Sequence, residues 1–125
     1  MDENEISRII VGAAIEIHRI LGPGLLESVY QSCMKKELVN RGLNFESEVP
    51  IYAEYKGELL QEAYRLDLIV ENKVVIELKA IERLAAKHTA QLLTYLRLSN
   101  KKLGLLINFN EATLKSGLMR VVNDL

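Results

Sequence analysis

Asp67, Glu77 and Lys79 are the residues in this chain whose types and spacing suit them best to act together, because all three lie in the stretch YRLDLIVENKVVIELK, residues 64–79. Two apolar runs of strand length, 66–70 and 74–78, flank the polar Glu71, Asn72 and Lys73, the pattern of a hairpin with a three-residue loop. Pairing Val70 with Val74 sets Asp67 opposite Glu77 and Arg65 opposite Lys79. Residues directly opposite share a face, with Cβ atoms roughly 4.5–5.5 Å apart. The other face then carries Leu66, Leu68, Val70, Val74, Ile76 and Leu78, an apolar surface expected to pack on helices.

Two carboxylates held that close repel each other unless positive charge sits between them. Oxygen ligands of this kind suit magnesium or manganese. The plainer alternative is a surface ladder in which Arg65 and Lys79 neutralise Asp67 and Glu77. The hairpin alone leaves both open.

The rest of the chain must hold these groups in place. With 125 residues, 49% of them apolar, it is expected to form one domain around a single core. Sixteen Lys and Arg against seventeen Asp and Glu leave it near neutral, so a polyanion would have to be met by a local basic patch. The lone Cys33 cannot form an internal disulfide and reads as core in a reducing compartment. No apolar run approaches the ~20 residues of a membrane span. The acidic start, Met1-Asp2-Glu3, lacks the basic region of a signal peptide. A soluble, cytoplasmic protein is expected.

Ile6, Ile9, Ile10, Ala13, Ala14, Ile17, Ile20 and Leu21 recur at helical spacing, and Gly22-Pro23-Gly24 ends that helix. A second helix, with Leu25, Leu26, Val29, Tyr30, Cys33, Met34 and Leu38 as its apolar residues, runs to about Gly42. A helix-turn-helix DNA reader is disfavoured, since the second helix starts with Glu27 and has no lysine or arginine before Lys35. His18 has no second histidine or cysteine at metal spacing and reads as a helix-end or core residue.

Residues 45–55 alternate as a strand, with Pro50 placing it at a sheet edge or standing as its first paired residue, and Lys56-Gly57 turns the chain towards the hairpin. After Lys79 a third helix carries Leu84, Ala85, Leu92, Leu93 and Leu96 as its apolar stripe. His88, Gln91 and Tyr95 lie off that stripe on one face. Residues 103–109 read as a buried strand reached by a right-handed crossover. The tail fits a helix in part, through Leu114, Leu118, Val121, Val122 and Leu125, interrupted at Ser116-Gly117.

The ordered set Asp67, Glu77-Leu78-Lys79 and Gln91-Leu-Leu-Thr-Tyr95 resembles the PD-(D/E)xK nuclease superfamily, especially its branch with glutamine and tyrosine on the following helix. The stretch LGPGLLESVY, with Gly24-x-x-Glu27-x-x-Tyr30, is similar to the small GxxExxY proteins placed within it. The likeness runs from the first helix through Ile107-Asn108-Phe109, and no proline precedes Asp67, as is usual in this branch.

The resemblance implies an α/β, restriction-endonuclease-like core, a mixed central sheet flanked by helices. It implies Asp67 and Glu77 as ligands of Mg2+ or Mn2+, Glu27 as a supplementary ligand, and the Leu78 carbonyl directed at the metal. Lys79 would position or activate water and stabilise phosphate charge, with Gln91 and Tyr95 supporting the site or touching substrate. The partner implied is nucleic acid, DNA ahead of RNA, and so small a domain would hold a long substrate best as a homodimer or with a partner. Two functions follow: a metal-dependent nuclease, or a non-catalytic binding or regulatory module that keeps a nuclease-like core. Retention of Asp67, Glu77 and Lys79 together favours the first.

Overall fold

The first helix, α1 (Glu3–Leu21), opens on a reciprocal cap. The Glu5 N–H donates to Asp2 Oδ1 at 2.8 Å and the Asp2 N–H to Glu5 Oε1 at 3.1 Å. In this computed structural model, which describes residues 1–125 apart from the side chain of Glu62, there follow α2 (Glu27–Asn40), β1 (Phe45–Tyr55), β2 (Glu58–Val70), β3 (Val74–Lys79), α3 (Ala86–Ser99), β4 (Leu103–Asn108) and β5 (Leu118–Val122). Among the described residues no helix is long and apolar enough to cross a membrane.

The five strands form one mixed sheet in chain order. β1–β2, β2–β3 and β4–β5 are antiparallel, while β3 and β4 are parallel, joined through α3. The parallel pair sits at the centre and is buried almost throughout, as strands covered on both faces must be. One face packs on α1 and α2 through Ile6, Ile10, Met34, Leu68, Ile76 and Leu105, among others. The other packs on α3 through Ile69, Val75, Leu106, Leu92 and Leu96. A mixed sheet flanked by helices is therefore what the chain builds, and Pro50 lies in an edge strand as expected.

Four local expectations are corrected. The tail is no helix: a 3-10 turn at Lys115–Gly117 leads into β5, which pairs with β4. A Cβ on Gly117 would collide with the Asn108 carbonyl oxygen, so the turn can seat against the end of β4 only with glycine there. Ile20, Leu21, Leu25 and Leu26, at the turn between α1 and α2, are exposed. Tyr95 lies within the core that α3 builds, beside Leu92 and Leu96, and not off it.

The fourth correction bears on the site. Val70 pairs with Val74 as expected, across a turn whose Glu71 and Asn72 take left-handed φ of 52° and 56°. The ladder, however, runs only to Leu68–Ile76, and Arg65 pairs with Pro50 of β1, so Arg65 never faces Lys79. Leu66 joins the core on the α3 side while Leu68 joins that on the α1–α2 side. Simple alternation would keep them together; β2 changes faces at Asp67.

Candidate active site

Asp67 and Glu77 meet where the β2–β3 ladder stops. The Leu78 N–H donates to Asp67 Oδ2 at 2.7 Å, and the Asp67 N–H donates to Glu77 Oε1 at 3.1 Å. Each side chain thus satisfies the other strand's backbone where the ladder no longer does. The two carboxyl groups are thereby close neighbours, and the charge of Asp67 acts on Glu77.

Burial favours the protonated form of this pair. Glu77 is 7% exposed, and loss of water followed by repulsion from Asp67 lifts its pKa from 4.5 to about 8. Asp67 is also raised, by burial first, against the lowering effect of its bond from Leu78 and the charge of Lys79. Among the described residues the ion pairs are Arg19–Glu16 and Arg41–Glu37, so neither Arg65 nor Lys79 closes a salt bridge on these carboxylates. The surface-ladder alternative predicts such bridges.

Glu27 opens α2. Its pKa is raised by burial and then by Asp67, while Lys79 opposes the rise. A helix N-terminus acts in the opposite sense, favouring the charged form. Tyr30, one turn on, ties down the turn that leads into Glu27. Its hydroxyl donates to the Gly22 carbonyl at 2.6 Å and accepts the Leu25 N–H at 3.2 Å, and its ring stacks on Phe109 at 4.4 Å between centroids. Gly24, at φ 99°, allows the turn to bend back to that hydroxyl.

From α3, Tyr95 reaches the same place. Burial and then the charge of Glu77 raise its hydroxyl pKa, and Gln91 stands one turn earlier on the same helix. Lys79 is partly buried, and its charge is felt by Glu27, Asp67 and Glu77 alike. The Leu78 side chain is fully buried in the α1–α2 core. His88, expected on the Gln91–Tyr95 face, uses Nδ1 to accept the Ala85 N–H at 2.8 Å and so caps α3. His18 Nε2 lies 2.9 Å from the Glu111 carbonyl oxygen, a structural contact.

Glu48 escaped the sequence reading. It stands across from Asp67, between the register pairs Ser47–Leu68 and Val49–Leu66, with a left-handed φ of 53°. Gln31 Nε2 donates to it at 2.9 Å, and its charge raises both Asp67 and Glu27. A hairpin counted back regularly from Lys56-Gly57 would set Glu48 opposite Arg65. The irregularity between Tyr52 and Glu54 moves it to Asp67.

The donor set is carboxylate oxygen facing carboxylate oxygen, which fits a hard divalent cation. Among the described residues no three His, Cys, Asp or Glu side chains converge closely enough to hold one by themselves.

The arrangement defines an α/β protein with an acidic centre at the edge of a β hairpin. Residues 4–121 match the PD-(D/E)XK nuclease superfamily, and the chain belongs to it. Members of that superfamily act on nucleic acid and generally use divalent metals. Among solved structures the chain is similar to the crystal structure of SSO0001, with 24% identity and a TM-score of 0.59. The match covers 79% of this chain and 51% of that one, so this chain spans about half its length; the likeness is one of fold. No curated protein matches the chain.

Proposed function

We propose that the chain is a metal-dependent nuclease hydrolysing phosphodiester bonds, of the GxxExxY kind with a glutamine and tyrosine on α3. The observation that carries the reading is the Asp67–Glu77 pair, a half-buried and a buried carboxyl group each bonded to a backbone N–H of the other's strand, with no salt bridge among the described residues. Asp67, Glu77 and the Leu78 carbonyl would hold Mg2+ or Mn2+, with Glu27 supplementing them. When bound, the ion supplies an acidified water and neutralises charge growing on the phosphate.

Each remaining role falls to a named side chain. Lys79, with no salt bridge among the described residues, stabilises negative charge on the phosphate and orients the attacking water. Gln91 and Tyr95, one turn apart on α3, support the site or touch the substrate. Tyr30 ties down the turn that leads into Glu27. The substrate is nucleic acid, DNA ahead of RNA, and a homodimer would supply the length a long substrate needs.

The test is incubation of single- and double-stranded DNA and RNA with magnesium or manganese, beside Asp67→Ala. Metal-dependent cutting by the wild type alone supports the reading. Wild-type protein that binds metal and cuts none of the four leaves the alternative of a non-catalytic module.

A further inference from the structure

Tyr64 lies three residues before Asp67 on β2, about 10 Å along the strand. It is 46% exposed, an unusual setting for a large aromatic so near buried carboxylates. Its ring sits 5.3 Å from that of Tyr95, inclined by 40°. Tyr95, 8% exposed and braced by Leu92 and Leu96, gives the pair a rigid floor. Across β1, Ile51 pairs with Tyr64 and is itself buried, so the strand beneath the exposed ring is held as well.

Among the described residues the strand beside the ring is unpaired on one side. The β2–β3 ladder ends at Leu68–Ile76, so among the described residues β2 before Asp67 has β1 alone as its partner. An aromatic face therefore stands beside an open strand edge, next to the centre that would cut a phosphodiester. Bases in a duplex are stacked on one another and cannot offer a face to a protein ring, whereas an unpaired base can.

We infer that Tyr64, supported by Tyr95, is a stacking platform for an unpaired nucleobase, which makes the substrate a single strand or a frayed end. The inference rests on the nuclease reading for its location but concerns a different property, base recognition. Stacking on an aromatic ring tolerates any base, so the site selects strandedness and not sequence.

The test uses short oligonucleotides with calcium in place of magnesium. A thymidine strand, a strand of the same length made of abasic nucleotides, and a blunt duplex are titrated separately. The chain has five tyrosines and no tryptophan, so its own emission reports a base stacking on tyrosine. The thymidine strand should bind tighter than the abasic strand and quench that emission. Tyr64→Leu should weaken thymidine binding roughly 5- to 150-fold and leave abasic binding unchanged, while Tyr64→Phe keeps wild-type affinity. Equal wild-type affinity for the thymidine and abasic strands overturns the inference, as does failure to bind either. That wild-type comparison stands whether or not a variant folds. Metal-dependent cutting of duplex DNA alongside such a result would remove the platform and leave the nuclease reading in place.

Discussion

Asp67 Oδ2 accepts the Leu78 N–H at 2.7 Å, one register step beyond the last ladder pair of β2 and β3. A carboxylate here completes the hairpin's hydrogen bonding and also points to its functional edge. The two duties separate by substitution. Asp67→Asn keeps an oxygen acceptor for Leu78 and loses the charge; Asp67→Ala loses both. Urea unfolding without metal should place Asp67→Ala about 1–3 kcal/mol below Asp67→Asn, with both variants inactive. Equal stability of the two would mean that the Leu78 bond contributes nothing.

The acidity of Glu77 sets a pH dependence. Its pKa is raised from 4.5 to about 8, so the fold favours the protonated form. The stabilising effect is fully present below 4.5 and is lost as pH rises through about 8. Asp67 and Glu27 shift in the same direction. Metal-free protein should therefore melt at progressively lower temperature between about pH 5 and about pH 8, and Glu77→Gln should flatten that slope. A wild-type melting temperature that climbs over the window contradicts the assignment.

Lys79→Met keeps much of the side chain's length and removes its charge. Cleavage at saturating metal should fall by about 10²–10³-fold, the range seen when one group stabilising transition-state charge is lost. The melting temperature should hold. Cutting at the wild-type rate would return Lys79 to a structural role.

Glu27 and Tyr30 test the α2 turn as a unit. Glu27→Gln should weaken metal affinity on the order of 10–100-fold, as changes around a metal site commonly do. Tyr30→Phe keeps the stacking on Phe109 but removes the hydroxyl that Gly22 and Leu25 share. It should cost about 1–3 kcal/mol and weaken metal binding in the same direction. Unchanged affinity in both variants would detach α2 from the site.

What the sequence made legible was periodic or local. The Val70–Val74 hairpin, the helical stretches and the parallel β3–β4 pair follow from apolar spacing and turn residues. Glu48, the changed face of Leu66 and the separation of Arg65 from Lys79 do not. All three depend on the irregularity at Tyr52 and Glu54 and on the break at Asp67, and neither has a residue signature such as glycine. The exposed apolar residues at the α1–α2 turn misled because helical periodicity records which side a residue faces, not whether anything covers it. The tail misled for a related reason: its leucines and valines suit either period, and pairing with β4 decides between them.

The central claim, that Asp67 and Glu77 together hold a divalent cation, is tested most directly by calorimetric titration with manganese in two buffers of different ionisation heat. Wild-type protein should bind the ion saturably and release protons to the buffer, because the carboxyl groups must ionise to take it. The double variant Asp67→Ala, Glu77→Ala, checked to be folded, should show neither effect. Identical isotherms for the two proteins would contradict the account.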